Sequence, residues 1–383
     1  MLRLLAVVCL LALLSACESN DPKVLAMKPA DLVEFTPTAK LQKIWSSSAG
    51  AGQDTRYSRF ELSLSDNRLF AADTKGRVYA FDAESGKKLW SVDLDISVSA
   101  AIGSDGDRLL LGTYNGTLHA LDINTGEQLW QVKVSSEVAA TPAGNGDIVV
   151  ATTVDGVVYA LEASTGAVRW SYDHTVPILS LRGSGSPALT ASQVIVPFDN
   201  GQLVSMSSSD GSTQWEARIG RPQGRTELER IVDIDGTPIV DGSFIYAATY
   251  QGSIMALTRG AGRTQWSKDM STTQNIALAS GKLFVSGDDS TVTAFSAMGG
   301  ETLWENSALK RRNIGAPAGI DDYVAVIDAD GYLHLLQQSD GAFAYRFKPR
   351  GDTFRSPMLS ANGSLYILAD NGKLTAYKVA SKP

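Results

Sequence analysis

The chain has 383 residues, 44 % apolar and 20 % charged, which fits a folded globular protein and argues against a disordered one. Its net charge is −7 and it has no basic run, so nucleic acid is a poor partner: phosphate contacts need clustered Lys and Arg. Two Cys and three His leave little material for a disulfide framework or a zinc site.

The N-terminus reads MLRLLAVVCLLALLSAC. Arg3 precedes an apolar run from Leu4 to Leu14, shorter than the roughly 20 residues of a membrane-spanning helix. That is the layout of a secretory signal. Its end, Leu14-Ser15-Ala16-Cys17, resembles a bacterial lipobox, which implies cleavage before Cys17 and lipidation of that residue. Residues 1–16 are expected to be a lipoprotein signal peptide. Cys9 would leave with the signal, so no internal disulfide is expected in the mature chain. Glu18 and Ser19 follow, where inner-membrane retention signals usually place Asp, and this favours the outer membrane. Residues 17–40 are polar, carry Pro22, Pro29 and Pro37, and read as an extended tether.

A repeat fills residues 41–383. GRVYAFDAESGKKLW (76–90), GTLHALDINTGEQLW (116–130) and GVVYALEASTGAVRW (156–170) align directly. Weaker copies start at Gly201, Gly252, Ser290 and Gly331, and a truncated eighth starts at Gly372. The front of each unit alternates and is β-rich, the middle is a Gly turn, and the tail starts another strand. Two more short strands precede each unit. Four short strands per repeat is the signature of a β-propeller blade. Six of the seven Trp end a repeat unit, and Tyr345 takes the place of another. The seventh, Trp45, ends KLQKIW, a tail without a front, whereas the eighth unit has a front without a tail. The expectation is therefore an all-β, eight-bladed propeller of four-stranded antiparallel blades. Its ring is closed by the N-terminal strand, which removes an open edge.

The tail AFDAESGKKLW resembles the PQQ-like repeat of quinoprotein dehydrogenases. That names a fold, not a function. Those enzymes use a vicinal Cys pair, a calcium site and a catalytic Asp on a longer chain, and this sequence has no Cys pair. The lipobox, the segment VEFTPTAK and eight blades in so short a chain resemble the BamB family. This is the lipoprotein subunit of the outer-membrane β-barrel assembly machinery. Its most specific patches here are LSLRGSGSP (179–187) and TELERIVDIDGTP (226–238). The resemblance implies a non-catalytic scaffold with no cofactor, anchored in the outer membrane and facing the periplasm. It also implies binding to the periplasmic POTRA domains of BamA, with nascent outer-membrane proteins as further partners. Two alternatives stand beside it. One is a periplasmic PQQ-type quinoprotein enzyme or cofactor binder. The other is a propeller that binds peptide by strand addition to a blade edge.

Departures from the period mark candidate sites. A Pro recurs early in the first strand of several blades, at Pro142, Pro187, Pro238, Pro317 and Pro357. The connections after Trp170 and Trp215 are the long ones, and they join consecutive blades. They should meet on one rim. The first holds Val176, Ile178, Leu179, Leu181 and Arg182. The second holds several Arg and acidic residues, including Asp233 and Asp235. Thr226-x-x-Glu229 is a candidate cap for a short helix. Apolar residues beside Arg and carboxylates suit a protein-binding patch. The expected partner-binding set is Leu179, Leu181, Arg182, Asp233 and Asp235. No catalytic motif, phosphate loop or metal-ligand cluster is found. His119 and His334 share a repeat position with Tyr79 and Tyr159 and read as packing residues.

Overall fold

Each repeat unit folds into a four-stranded antiparallel sheet, and eight such sheets stand in a ring. The computed structural model describes residues 28–53, 60–181 and 185–380. Seven blades use four consecutive strands each, spanning 63–93, 103–133, 143–173, 188–218, 239–270, 277–306 and 318–347. The eighth combines strands Leu359–Ala361, Ser364–Leu368 and Lys373–Val379 with Leu41–Ser48 from the other end of the chain. That last pairing runs from Leu41↔Val379 to Ser48↔Lys373. The predicted propeller and its N-terminal closing strand are both present.

Alternation explains why the blades stack. In the strand Arg108–Gly112, Leu109 and Leu111 pack toward the first blade, whereas Leu110 packs toward the third. Both faces of each blade are thus buried, so the middle strands read as continuous apolar runs. Eight apolar clusters join neighbouring blades, and the one holding Trp45, Leu69 and Tyr366 joins the last to the first.

The tryptophans sit at these junctions through a shared irregularity. Ala80 pairs with Trp90 and Phe81 with Lys88, so Leu89 bulges out of the ladder. The same one-residue shift recurs beside Trp130, Trp170, Trp215, Trp266 and Trp304. A bulge bends the outer strand and re-aims the next side chain. Each ring then lies on the Gly turn of the following blade. Gly86 (φ 68°) shows the constraint: a Cβ there would lie 2.3 Å from the Trp45 ring. Most of these Trp also donate Nε1–H to a backbone carbonyl of that blade, as Trp130 does to Ala163 at 2.9 Å. Trp90 is the exception. Among the described residues its Nε1 finds no acceptor, while Arg68 Nη1 donates to the Ile123 carbonyl at 3.3 Å. Tyr345 has no Gly turn to cover, because the outer two strands of the eighth blade come from opposite chain ends.

The N-terminal segment corrects one expectation. Residues 30–39 are extended, but they are bound to the propeller rather than free. Ala30 N–H donates to the Lys310 carbonyl at 2.9 Å. Thr38 and Ala39 N–H donate to the Ala344 carbonyl at 2.9 and 3.1 Å. Phe35 stacks on Phe343 at 5.5 Å, and the Arg346 guanidinium lies over both rings at 5.0 and 5.1 Å. Stacked rings and a cation over them each add about 0.5–1 kcal/mol. This strap lies along the seventh blade. Residues 1–27, with the signal peptide and Cys17, lie outside the described residues.

Candidate functional site

Connections from an outer strand to the next blade emerge on one face. The two long ones, 174–187 and 219–238, flank the fourth blade. The strap meets the corresponding connection between the sixth and seventh blades, through Lys310 and Arg312. Its first residues therefore reach the same face, two to three blades around the ring from the long loops.

The two long loops meet, as their neighbouring positions require. The Leu181 N–H donates to Asp233 Oδ2. At Gly185 the crossing is backbone on backbone: a Cβ there would lie 2.5 Å from the Ile234 carbonyl oxygen and 2.9 Å from that of Gly236. No side chain fits between the loops at that point. Ile231, Val232 and Ile234 are buried and root the second loop in the core.

Asp233 and Asp235 do not stand in the surface patch expected from the sequence. Asp233 is fully buried, at 0 % exposure, and Asp235 is buried too. The reason is that Ile231, Val232 and Ile234 are buried in the core, and the two carboxylates interspersed with them are carried inward in the same stretch. Burial pushes the Asp233 carboxyl up to about 8, and the nearby Asp199 charge adds to this; the Leu181 N–H opposes it. Burial likewise pushes Asp199 up to about 6, opposed by a hydrogen bond from Ser180. Burial thus favours the protonated form of Asp233. In the sequence Asp199 stands in the turn FDNG, and nothing in that local pattern shows that its charge acts on Asp233.

What the first loop exposes is largely apolar. Ile178 is 89 % exposed, Leu179 is 45 % exposed, and Val176 is also exposed. Leu181 is partly buried and Arg182 lies outside the described residues. On the second loop residues 221–230 are all exposed, Leu228 among them. Thr226 and Glu229 bond reciprocally there: Glu229 N–H donates to Thr226 Oγ1 at 3.3 Å, and Glu229 Oε2 accepts from the N–H groups of Arg225 and Thr226 at 2.7 and 3.1 Å. The pair brackets the start of a 3-10 turn, Leu228–Arg230, whose N-cap residue, Glu227, makes no side-chain capping bond.

The histidines serve packing. His174 stacks on Phe198 at 3.9 Å and Asn200 donates to its Nε2 at 2.9 Å. Burial holds its pKa below the usual value. His334 is fully buried, with Nε2 at 3.0 Å from Asp328 Oδ2 and Nδ1 accepting from Arg346 Nε at 3.0 Å. Among the described residues, no three His, Cys, Asp or Glu side chains are grouped to hold a metal ion. No helix of the described residues is long and apolar enough to cross a membrane.

An eight-bladed ring with docked tryptophans at its blade junctions defines a propeller of the PQQ-like repeat class. The family model described as "Outer membrane protein assembly factor BamB" matches residues 74–306 and 288–381. The protein of that name from Pseudomonas aeruginosa is 46 % identical over 363 residues, 95 % of each chain. The crystal structure of BamB from Moraxella catarrhalis superposes with a TM-score of 0.80 at 30 % identity, covering 88 % of this chain and 100 % of that one. This chain belongs to the BamB family. A quinohemoprotein alcohol dehydrogenase from Comamonas testosteroni aligns with a TM-score of 0.69 at 14 % identity, a likeness of fold alone.

Proposed function

We propose that this chain is a non-catalytic scaffold of the outer-membrane β-barrel assembly machinery. In this reading Cys17 carries the lipid anchor and residues 1–16 are removed. The propeller faces the periplasm and docks the POTRA domains of BamA. The family supports the pathway, and one observation carries the docking site. Ile178 and Leu179 are exposed on a loop whose base is fastened to its neighbour at Leu181 and Gly185. Apolar side chains held out on a rigid base bury area on docking with little ordering cost. Asp233 acts as a positioning residue beneath them.

The test is capture of the BamA periplasmic region by the mature protein. Ile178→Ala with Leu179→Ala should reduce capture at least tenfold while the melting temperature stays within a degree or two, as expected for truncating contact anchors. Wild-type capture by the double variant would place the docking site elsewhere on the ring. For the anchor, Cys17→Ala should release the protein from membranes and stop incorporation of labelled palmitate.

A further inference from the structure

The second long loop has another feature. It forms one wall of an open groove of about 1090 Å³ at the mouth of the cleft between the fourth and fifth blades. Three guanidinium groups line this wall: Arg218, Arg221 and Arg225. All three residues are exposed. Among the described residues none has an ion-pair partner; Arg218 makes one long contact, 3.4 Å, to the Asn200 carbonyl. The acidic loop residues do not neutralise them. Glu229 spends its carboxylate on the N–H groups of Arg225 and Thr226, and Glu227 faces Arg230 at 3.9 Å. The opposite wall is the outer part of the fifth blade. Ser253 pairs with Asp269 and Met255 with Ser267, so these four share one face of the sheet. The groove also holds the carboxylates of Glu229 and Asp269, so its three Arg against these two acids leave it one positive charge in excess, in a chain that carries −7 as a whole.

We propose that this groove receives an acidic, extended segment of a protein partner. The guanidinium fork pairs bidentately with carboxylates, and Arg in a groove is desolvated at lower cost than Lys. The segment's carboxylates face the Arg wall, and its intervening polar side chains face Ser267 and Thr264; Ser253 is buried there and donates its hydroxyl to the Ile219 carbonyl at 2.6 Å. The groove shares its loop with the apolar docking patch. The segment is therefore assigned to the partner that docks there, a step that rests on the reading above.

The groove is tested first without that partner. A short fluorescein-labelled peptide of alternating Glu and Thr is titrated with the mature protein, beside the same peptide with Gln for Glu. The Glu peptide should bind at least tenfold tighter by anisotropy and weaken with added salt. Arg221→Glu with Arg225→Glu should remove that preference, and Leu179→Ala should leave it intact. Equal binding of both peptides, or an unchanged preference in the Arg variant, overturns the groove. Capture of the BamA periplasmic region then tests the assignment. The Arg variant should capture less than wild type. Full capture by the Arg variant, with capture still lost in Ile178→Ala/Leu179→Ala, overturns the groove's role in docking and leaves the docking patch standing.

Discussion

Trp45 Nε1 donates to the Ala83 carbonyl at 3.0 Å, across the seam where the two ends of the chain meet. Trp45 belongs to the eighth blade and Ala83 to the first, and Tyr366 Oη donates to the same carbonyl at 3.2 Å. One side chain from the N-terminal strand thus completes the last blade and locks it to the first.

Trp45→Ala should cost about 3–5 kcal/mol, the usual range for a buried Trp. Trp90→Ala should cost less, because the Trp90 Nε1 has no acceptor to lose. Denaturant melts of the two variants check this. An equal loss would mean that the seam is no more dependent on its Trp than an interior junction.

The strap makes a second prediction. Arg346 donates Nη1 to the Val33 carbonyl at 2.8 Å, and Arg312 donates Nη1 to that of Ala30 at 2.9 Å. Arg346→Ala should free residues 30–39, raising amide exchange and protease cleavage there with a modest loss of stability. Arg312→Ala should cost more, about 3–5 kcal/mol, because it strands the fully buried Asp328 that Arg312 Nε contacts at 2.7 Å.

His334 makes the strap network sensitive to acid. Its Nδ1 must stay unprotonated to accept from Arg346, and burial holds its pKa below the usual histidine value. The neutral form therefore adds stability that is complete above the unfolded pKa and is lost as pH falls toward the lower folded one. Melting temperature should drop between pH 7.5 and 5 by more in the wild type than in His334→Gln. Parallel curves would refute the linkage.

Asp233 has the opposite sign. Its folded pKa is raised to about 8, so the proton it holds stabilises the fold below the unfolded pKa, and this is lost as pH rises through the folded value. Asp233→Asn keeps an oxygen for the Leu181 N–H and removes the buried charge. It should raise the melting temperature at pH 8.5 relative to wild type and narrow that gain at pH 6.

Gly185→Ala tests whether the loop crossing positions the docking residues. The added methyl has no room beside the Ile234 carbonyl, so the loops must part. Partner capture should fall together with thermal stability, whereas Leu179→Ala should lower capture alone.

Much of this architecture is determined by local sequence. A period-2 apolar strand, a Gly turn and a terminal Trp specify a blade, and a tail at Trp45 without a front specifies where the ring closes. The long connections also show in the spacing, because insertions interrupt a period. Tertiary packing decided the rest. Asp233 and Asp235 look like surface charges in a polar loop, yet Ile231 and Ile234 on either side draw that stretch into the core. Residues 30–39 look like a free tether, because the groups that bind them, Arg312, Phe343 and Arg346, lie about 300 residues away. The basic groove exists only because the ring brings a loop against the next blade. Local pattern specifies each strand; which charges are buried or paired depends on contacts between blades, and no short stretch of sequence contains both sides of such a contact.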